Sequence, residues 1–395
     1  MFFELSKSSQ KKFPQHFILP NKLVLNTDEG WKKIVLNDYV IILKGYSNNY
    51  DLETLASKLT TNERTSIKGN FCAFVCTDDS VKILHDRDRG FPIWIGERSI
   101  TNLIEQSEPV WEDCTLTVDS MMNVDKKWTS PYAFKRKEIS DQSIIDNIHN
   151  LLNESFENFL SHNTLPLKMY LSGGIDTLLA WTYLDNFTKN YEIVDYEYIK
   201  NTYFYTTNKK IIQKHQLYNQ IHLWDHPCVL VTGSCGDEYF MRGPHTAGQI
   251  LKYHGYNLIE NISESDYMWY FLNRESSKQG VLNGIDSVKE DQSLESVYED
   301  VFARNKNDFQ HWHLDNTLTF TPFKDTSITE LVLQSSTEQL ISQAKNASIQ
   351  KELIRKIDDR KLKFLTKWKN YYDVDNMTSL WTNINNLKKL HPHKK

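Results

Sequence analysis

Glycine is scarce in this chain: fourteen residues in 395, about half the usual ~7%. Where so little is used, a cluster of it calls for a local reason. Cysteine is sparse as well. The five thiols (Cys72, Cys76, Cys114, Cys228 and Cys235) are odd in number and form no CxxC pair. That excludes a disulfide framework and a paired-cysteine zinc site, and predicts free thiols in a reducing compartment. Cys72 and Cys76 read as small hydrophobes on one face of a strand. No apolar run approaches the ~18–20 residues of a membrane span. The opening Met1-Phe2-Phe3-Glu4-Leu5 lacks the apolar core and cleavage site of a signal peptide. Cationic excess is missing too: Lys+Arg 46 against Asp+Glu 51 gives a net charge of −5. A nucleic-acid backbone needs a positive field, so no nucleic-acid partner is expected. These absences together predict a cytoplasmic chain with no membrane partner.

Aromatic residues are plentiful (20 Tyr, 19 Phe and 10 Trp), which rules out a disordered chain. Residues 1–125 read as β-rich. Tyr39–Leu43, Gly69–Thr77, Val81–His85 and Pro92–Gly96 are short apolar or β-branched runs broken by turn residues, with one helix near Leu52–Leu59. The polar, basic stretch at 126–138, containing Pro131, reads as a linker. From Ile139 the period changes. Ile144, Ile145, Ile148, Leu151, Leu152, Phe156 and Phe159 recur at helical steps. A strand at Met169–Leu171, a helix through Phe187, a strand at Tyr191–Ile199 and another at Cys228–Thr232 follow. Strands alternating with helices predict a mainly parallel sheet covered on both faces, and the chain beyond Ser263 reads as mostly helical. Two domains result, 1–125 and 139–395.

Six of the fourteen glycines lie in or just after two windows. In Leu171-Ser172-Gly173-Gly174-Ile175-Asp176-Thr177 a Gly-Gly turn joins a strand to a helix. Such a turn lets the backbone approach a ligand, and the next helix aims unpaired N–H groups at it. Ser172 and Thr177 add hydroxyls, which makes a phosphate cradle, though not a Walker A loop, which would need a lysine. Asp176 would repel a bare phosphate, so it implies a bridging Mg²⁺. The plainer alternative is a tight turn with Asp176 as the helix N-cap. The second window, Val229 to Phe240, repeats the logic: an apolar strand, the turn Gly233-Ser234-Cys235-Gly236, then Asp237-Glu238. Gly243 and Gly248 follow it.

The first window matches the SGGxD-S/T signature of the PP-loop ATP pyrophosphatases. With the second, it resembles the asparagine synthetase family, which carries a later SGxGxDExFxGY segment; Met241-Arg242-Gly243-Pro244 departs from that ending. Further segments keep the family's order. Gly69-Asn70-Phe71-Cys72-Ala73-Phe74, then Arg87-Asp88-Arg89-Gly90 and Pro92-Ile93-Trp94, look like parts of its amidotransferase domain. Pro322-Phe323-Lys324-Asp325 resembles its PFLD helix start, and Lys351-Glu352-Leu353-Ile354-Arg355 its K-x-x-L-R.

The resemblance implies an α/β chain: an N-terminal Ntn-hydrolase-like β-sandwich and a C-terminal PP-loop (adenine nucleotide α-hydrolase-like) parallel-sheet domain with a helical C-terminal part. It implies ATP and Mg²⁺ as cofactors. Nucleotide contacts fall to Ser172, Gly173, Gly174, Asp176, Thr177 and Gly233, and metal contacts to Asp176 and Asp237. Lys351 is implied as the catalytic lysine that stabilises charge during amide formation; its plainer alternative is a surface lysine pairing with Glu352 or Asp358. Three departures matter. Phe2 stands where a glutaminase of this type needs a cysteine nucleophile. Ser234 replaces a glutamate, and Phe320 an arginine.

The expectation is therefore an AMP-forming amide ligase without its own glutaminase. It would join a small-molecule or peptide carboxylate to ammonia or another amine, and could form oligomers. The alternatives are a non-catalytic degenerate synthetase and a PP-loop enzyme that modifies nucleic acid. Among the histidines, His311 and His313 read as strand or loop residues, and His245 is the better candidate for a site.

Overall fold

A computed structural model describes residues 3–11, 13–47, 50–61, 67, 69–85, 93–101, 108–110, 114–128, 136–171, 173–194, 228–263, 266–273, 275–297, 299 and 317–365. Several expectations fall outside these residues: Phe2, the Arg87–Gly90 segment with Pro92, Ser172, the strand beyond Val194, the stretch between Ile199 and His226, His311 and His313.

The N-terminal region is built from β1 (Phe3–Ser6), β2 (Gln15–Ile18), β3 (Val24–Thr27), β4 (Lys32–Leu36), β5 (Tyr39–Ser47), α1 (Leu52–Thr60), β6 (Gly69–Cys76) and β7 (Ser80–His85). Strands β8 (Ile93–Ile95), β9 (Ile100–Thr101), β10 (Glu108–Val110), β11 (Cys114–Asp119) and β12 (Val124–Trp128) complete it. They form two antiparallel sheets, in the orders β10-β8-β9-β1-β3-β2 and β12-β11-β7-β6-β5-β4. The two-residue period of β6 shows why they stack. Cys72, Phe74 and Cys76 join Phe3, Leu5 and Ile93 of the first sheet in one core. Phe71, Ala73 and Val75 face the opposite way, onto Leu55, Ala56 and Leu59 of α1. Cys72 and Cys76 do share a face, fully buried, as small hydrophobes. Strand β12 runs through Trp128, three residues into the stretch read as a linker.

The C-terminal region opens with α2 (Asp141–His162), which is N-capped by Ser140 accepting from the Ser143 amide. Its apolar stripe, Ile144, Ile145, Ile148, Leu152, Phe156 and Phe159, is buried as its period requires. After it come β13 (Leu167–Tyr170), α3 (Ile175–Phe187), β14 (Glu192–Val194) and β15 (Cys228–Val231). With β16 (Thr317–Phe320), the strands form a parallel sheet in the order β14-β13-β15-β16. Helix α3 is apolar nearly all round and buried from Leu178 to Asp185, as a helix enclosed by neighbours must be.

The other helices are α4 (Gly236–Tyr239), α5 (Pro244–Tyr253), α6 (Leu258–Asn261), α7 (Tyr267–Leu272), α8 (Glu275–Ser287), α9 (Thr326–Leu333), α10 (Thr337–Asn346) and α11 (Ser348–Asp358), with a 3₁₀ turn at Asp359–Phe364. The chain is thus a mixed α/β structure with antiparallel sheets, one parallel sheet and covering helices. Among the described residues no helix is long and apolar enough to cross a membrane.

Tyr46 at the end of β5 joins the two regions. Its ring lies 5.0 Å from Phe159 and 5.2 Å from Phe320, and its hydroxyl accepts from the Thr321 amide at 3.2 Å. A cavity of about 270 Å³ opens beside it, lined by Lys44, Tyr50 and Leu55 on one side and by Asn158, His162 and Leu318 on the other. Phe320 is fully buried and stacks on Phe159 at 4.0 Å. It therefore fills an apolar seam at the position where the resemblance calls for arginine.

Candidate functional site

Strands β13 and β15 are parallel neighbours, so the turns that leave them emerge on the same side of the sheet. That edge, beyond the carboxyl ends of the strands, is where open α/β sheets bind ligands. Both glycine windows sit there. Gly173 takes φ +83°, a conformation that glycine alone adopts without strain. Gly174 is the N-cap of α3 and has no side chain to satisfy the first N–H groups of the helix. Thr177 is buried, and its hydroxyl donates to the Gly174 carbonyl at 3.1 Å.

The two windows touch. A Cβ placed on Gly233 would lie 2.3 Å from the Thr177 nitrogen and 2.4 Å from the Asp176 carbonyl carbon. One on Gly236 would lie 2.3 Å from Asp176 Oδ1. The remaining glycines of that window behave differently. A Cβ on Gly248 would meet the Val281 carbonyl oxygen at 2.4 Å, so this glycine serves helix packing, while Gly243 faces open space.

The acidic pair of the two windows is joined by a residue that the sequence reading treated only as a departure. Arg242 Nη2 donates to Asp176 Oδ1 at 2.8 Å and lies 2.6 Å from Asp237 Oδ1. The Arg242 side chain is fully buried, and its guanidinium packs 4.2 Å from the centre of the Tyr267 ring. A tight turn builds it in. The amides of Arg242 and Gly243 both donate to the Asp237 carbonyl, at 2.6 and 2.8 Å, and Met241 takes φ +59°. Gln350 is also buried and donates from Nε2 to Asp176 Oδ1 at 2.5 Å. Gln343 Nε2 in turn donates to the Phe240 carbonyl at 3.1 Å and to Gln350 Oε1 at 3.3 Å.

Electrostatics follow the packing. Desolvation is the largest influence on the Asp237 carboxyl and raises it, with Arg242 and a Tyr267 hydrogen bond working against the rise. Desolvation opposes the charge on Arg242 too, but Asp176 and Asp237 outweigh it and hold the guanidinium protonated. Lys351 lies half-buried on α11. Desolvation lowers its pKa first, then the positive charges of Arg355 and Arg242, with Asp266 opposing. Glu352 pairs with Arg355, and Asp358 with Arg360. Neither is therefore the partner of Lys351, whose ammonium has no ion pair among the described residues.

Asp176 and Asp237 thus come together around the Arg242 guanidinium, with their side chains 18% and 31% exposed. Asp176 Oδ1 accepts from Arg242 and Gln350, and the same arginine nitrogen touches both carboxylates. Magnesium demands oxygen ligands at about 2.0–2.1 Å in near-octahedral array, and an ion bridging these two oxygens would displace Arg242. The expected Mg²⁺, held by Asp176 and Asp237 together with phosphate oxygens, does not fit at these two Oδ1 atoms. Among the described residues no three His, Cys, Asp or Glu side chains are grouped to hold a metal. His245 does not join the site; its ring is 3.5 Å from the Ser287 hydroxyl. Ser234, in place of the expected glutamate, has its hydroxyl 3.0 Å from that of Thr232.

Arg242, Gln350, Gln343 and Tyr267 are the residues that sequence reasoning missed. Two signals were available. Arg242 interrupts the second window's ending, and Gln350 directly precedes Lys351.

No protein-family model matches the chain, and no curated protein sequence matches it significantly. Among solved structures it is similar to glutamine phosphoribosylpyrophosphate amidotransferase from B. subtilis, complexed with ADP and GMP. That likeness has a TM-score of 0.20 and 9% sequence identity, and covers 62% of this chain and 71% of that one.

Proposed function

We propose that the chain is an ATP-dependent, AMP-forming amide ligase of asparagine synthetase-like type. On this reading residues 1–125 are an Ntn-hydrolase-like sandwich without its nucleophile, and residues 139–395 are a PP-loop synthetase unit. The observation that carries the reading is the convergence of the two glycine windows on Asp176 at the ends of adjacent parallel strands.

The reaction has two steps. A substrate carboxylate oxygen attacks the α-phosphorus of ATP, and the bond to pyrophosphate breaks, leaving an acyl-adenylate. An amine nitrogen then attacks the acyl carbon, the bond to AMP breaks, and the nitrogen loses a proton. The N–H groups at the start of α3, behind Gly173 and Gly174, hold the pyrophosphate oxygens. Ser172 supplies a hydroxyl, Thr177 braces the helix start through its own hydroxyl on the Gly174 carbonyl, and Gly233 lets the second turn lie against that helix start. Lys351 places a positive charge where the acyl oxygen becomes negative; in a dry site such a charge is worth several kcal/mol.

Substrate-dependent ATP–pyrophosphate exchange across a panel of carboxylates tests the first step. Exchange is expected with at least one carboxylate and is expected to vanish in Asp176→Ala. In Lys351→Ala exchange should survive while amide product falls by about 10²–10³-fold; equal loss of both would place this lysine on the phosphates. A chain that neither binds ATP by calorimetry nor exchanges pyrophosphate is not a ligase. The second reading, a non-catalytic synthetase-like protein, is favoured by Arg242, which already occupies the acidic pair. ATP binding without exchange would select it.

A further inference from the structure

Two half-buried carboxylates facing each other across a fully buried arginine call for a cation between them, because like charges at close range repel where solvent is limited. In nucleotide-cleaving sites a divalent ion commonly fills that role. Here Arg242 Nη2 stands 2.8 Å from Asp176 Oδ1 and 2.6 Å from Asp237 Oδ1. Gln350 takes the remaining acceptor position of that Asp176 oxygen at 2.5 Å. The arginine is held by the backbone turn at Asp237 and the Tyr267 ring, so it does not reach in from a flexible surface. It is part of the site's floor, with its side chain fully buried.

We propose that Arg242 is a built-in counter-cation that takes the place of a bridging divalent metal, so that Asp176 and Asp237 bind no such metal while Arg242 is present. Arg242 is then a positioning residue. It draws the start of α3 and the second glycine turn together, and it sets the net charge of the site without a soluble ion. The inference rests on the ligase reading for the identity of the site, but its prediction concerns the nucleotide-free chain.

Mn²⁺ binding to the full chain, without nucleotide, tests this by loss of the free-ion paramagnetic resonance signal. The wild-type chain should show no binding that Asp176→Asn removes. Arg242→Met keeps an apolar stem over Tyr267 and deletes the charge. It should gain one Mn²⁺ per chain, bound at least about tenfold more tightly than by the wild type, since ligand charge sets such affinities. The double substitution with Asp176→Asn should abolish that gain, and Arg242→Lys should restore exclusion. If Arg242→Met fails to give a cooperative thermal transition, Arg242→Gln replaces it in the same comparison. A wild-type chain that binds one Mn²⁺ in an Asp176-dependent way overturns the proposal, and so does a folded charge-deleted variant that gains none. Failure of the ligase reading would show instead as absent pyrophosphate exchange, with the Mn²⁺ comparison unaffected.

Discussion

A methyl group on Gly236 would collide with Asp176 Oδ1, and one on Gly233 with the backbone of α3, both at 2.3 Å. Neither obstacle can swing aside. The carboxylate is held by Arg242 and Gln350, and the other contact is a peptide group. Overpacking of this kind typically costs about 1–3 kcal/mol, so Gly233→Ala and Gly236→Ala should each lower the urea midpoint accordingly. Gly243 provides the internal control. It has open space and φ −53°, and Gly243→Ala should be neutral or stabilise by about 0.4–1 kcal/mol through the unfolded chain. Equal midpoints for Gly233→Ala and Gly243→Ala would show that the two windows do not touch. At the neighbouring turns the backbone strains non-glycine residues: Cys235, Met241 and Ala347 all have positive φ, between 57° and 63°. At Gly233 and Gly236 glycine thus answers a contact where a Cβ has no room, while some left-handed turns do without it.

At the scale of elements, α3 is fixed at its far end by a polar cluster. Asp185 receives Lys361 Nζ and the Tyr191 hydroxyl, each at 2.7 Å, and pairs with Lys189 at 2.6 Å. Lys361 also lies 3.8 Å over the Trp181 ring, so the 3₁₀ turn after α11 is pinned to α3. Burial alone would raise the Asp185 carboxyl, but hydrogen bonds from Lys189, Lys361 and Tyr191 outweigh it and hold the pKa at about 2. A depressed carboxylate pKa stabilises the fold above the unfolded value of 3.8 and loses that contribution as pH falls toward 2. The shift corresponds to roughly 2 kcal/mol. Asp185→Asn should therefore flatten the dependence of stability on pH between about 4 and 2, measured by urea titration at stepped pH; an unchanged slope would assign the acid sensitivity elsewhere. Elements with a strong period were legible in the sequence, as with α2, β5, β6 and β15. Strand β16 was not. Thr317–Phe320 is too short for periodicity to separate it from a loop, and its place comes from pairing with β15. The site was half legible for a similar reason. Asp176 and Asp237 stood in local motifs, whereas Gln350 lies 174 positions from its carboxylate partner and no local pattern carries that contact.

For the whole molecule, the question is what the N-terminal sandwich contributes. All five cysteines are buried. Burial pushes the Cys76 thiol up to about 12, which leaves it neutral and a poor nucleophile at physiological pH. Strand β1 opens with Phe3, fully buried, with its ring 6.0 Å from Trp31 and 5.1 Å from Phe74. On the proposed reading, glutamine should yield no glutamate when incubated with the chain, while ammonia should support amide formation. Glutamate release that iodoacetamide abolishes would overturn this. The seam offers the sandwich a different part. Tyr46 reaches across to Phe159, Phe320 and the Thr321 amide. Thr321 directly follows β16, whose neighbour β15 leads into the second glycine window. Packing at Tyr46 thus supports the strand beside the site from behind. Tyr46→Phe leaves the buried Thr321 amide without this acceptor and should cost about 1–3 kcal/mol, with unfolding still in one step. Tyr46→Ala also removes the ring that joins the two cores, at about 3–5 kcal/mol. Calorimetry should then resolve two transitions, the one belonging to residues 139–395 being the one that ATP shifts upward. A single transition that ATP shifts as a whole would mean the halves are coupled by more than this seam.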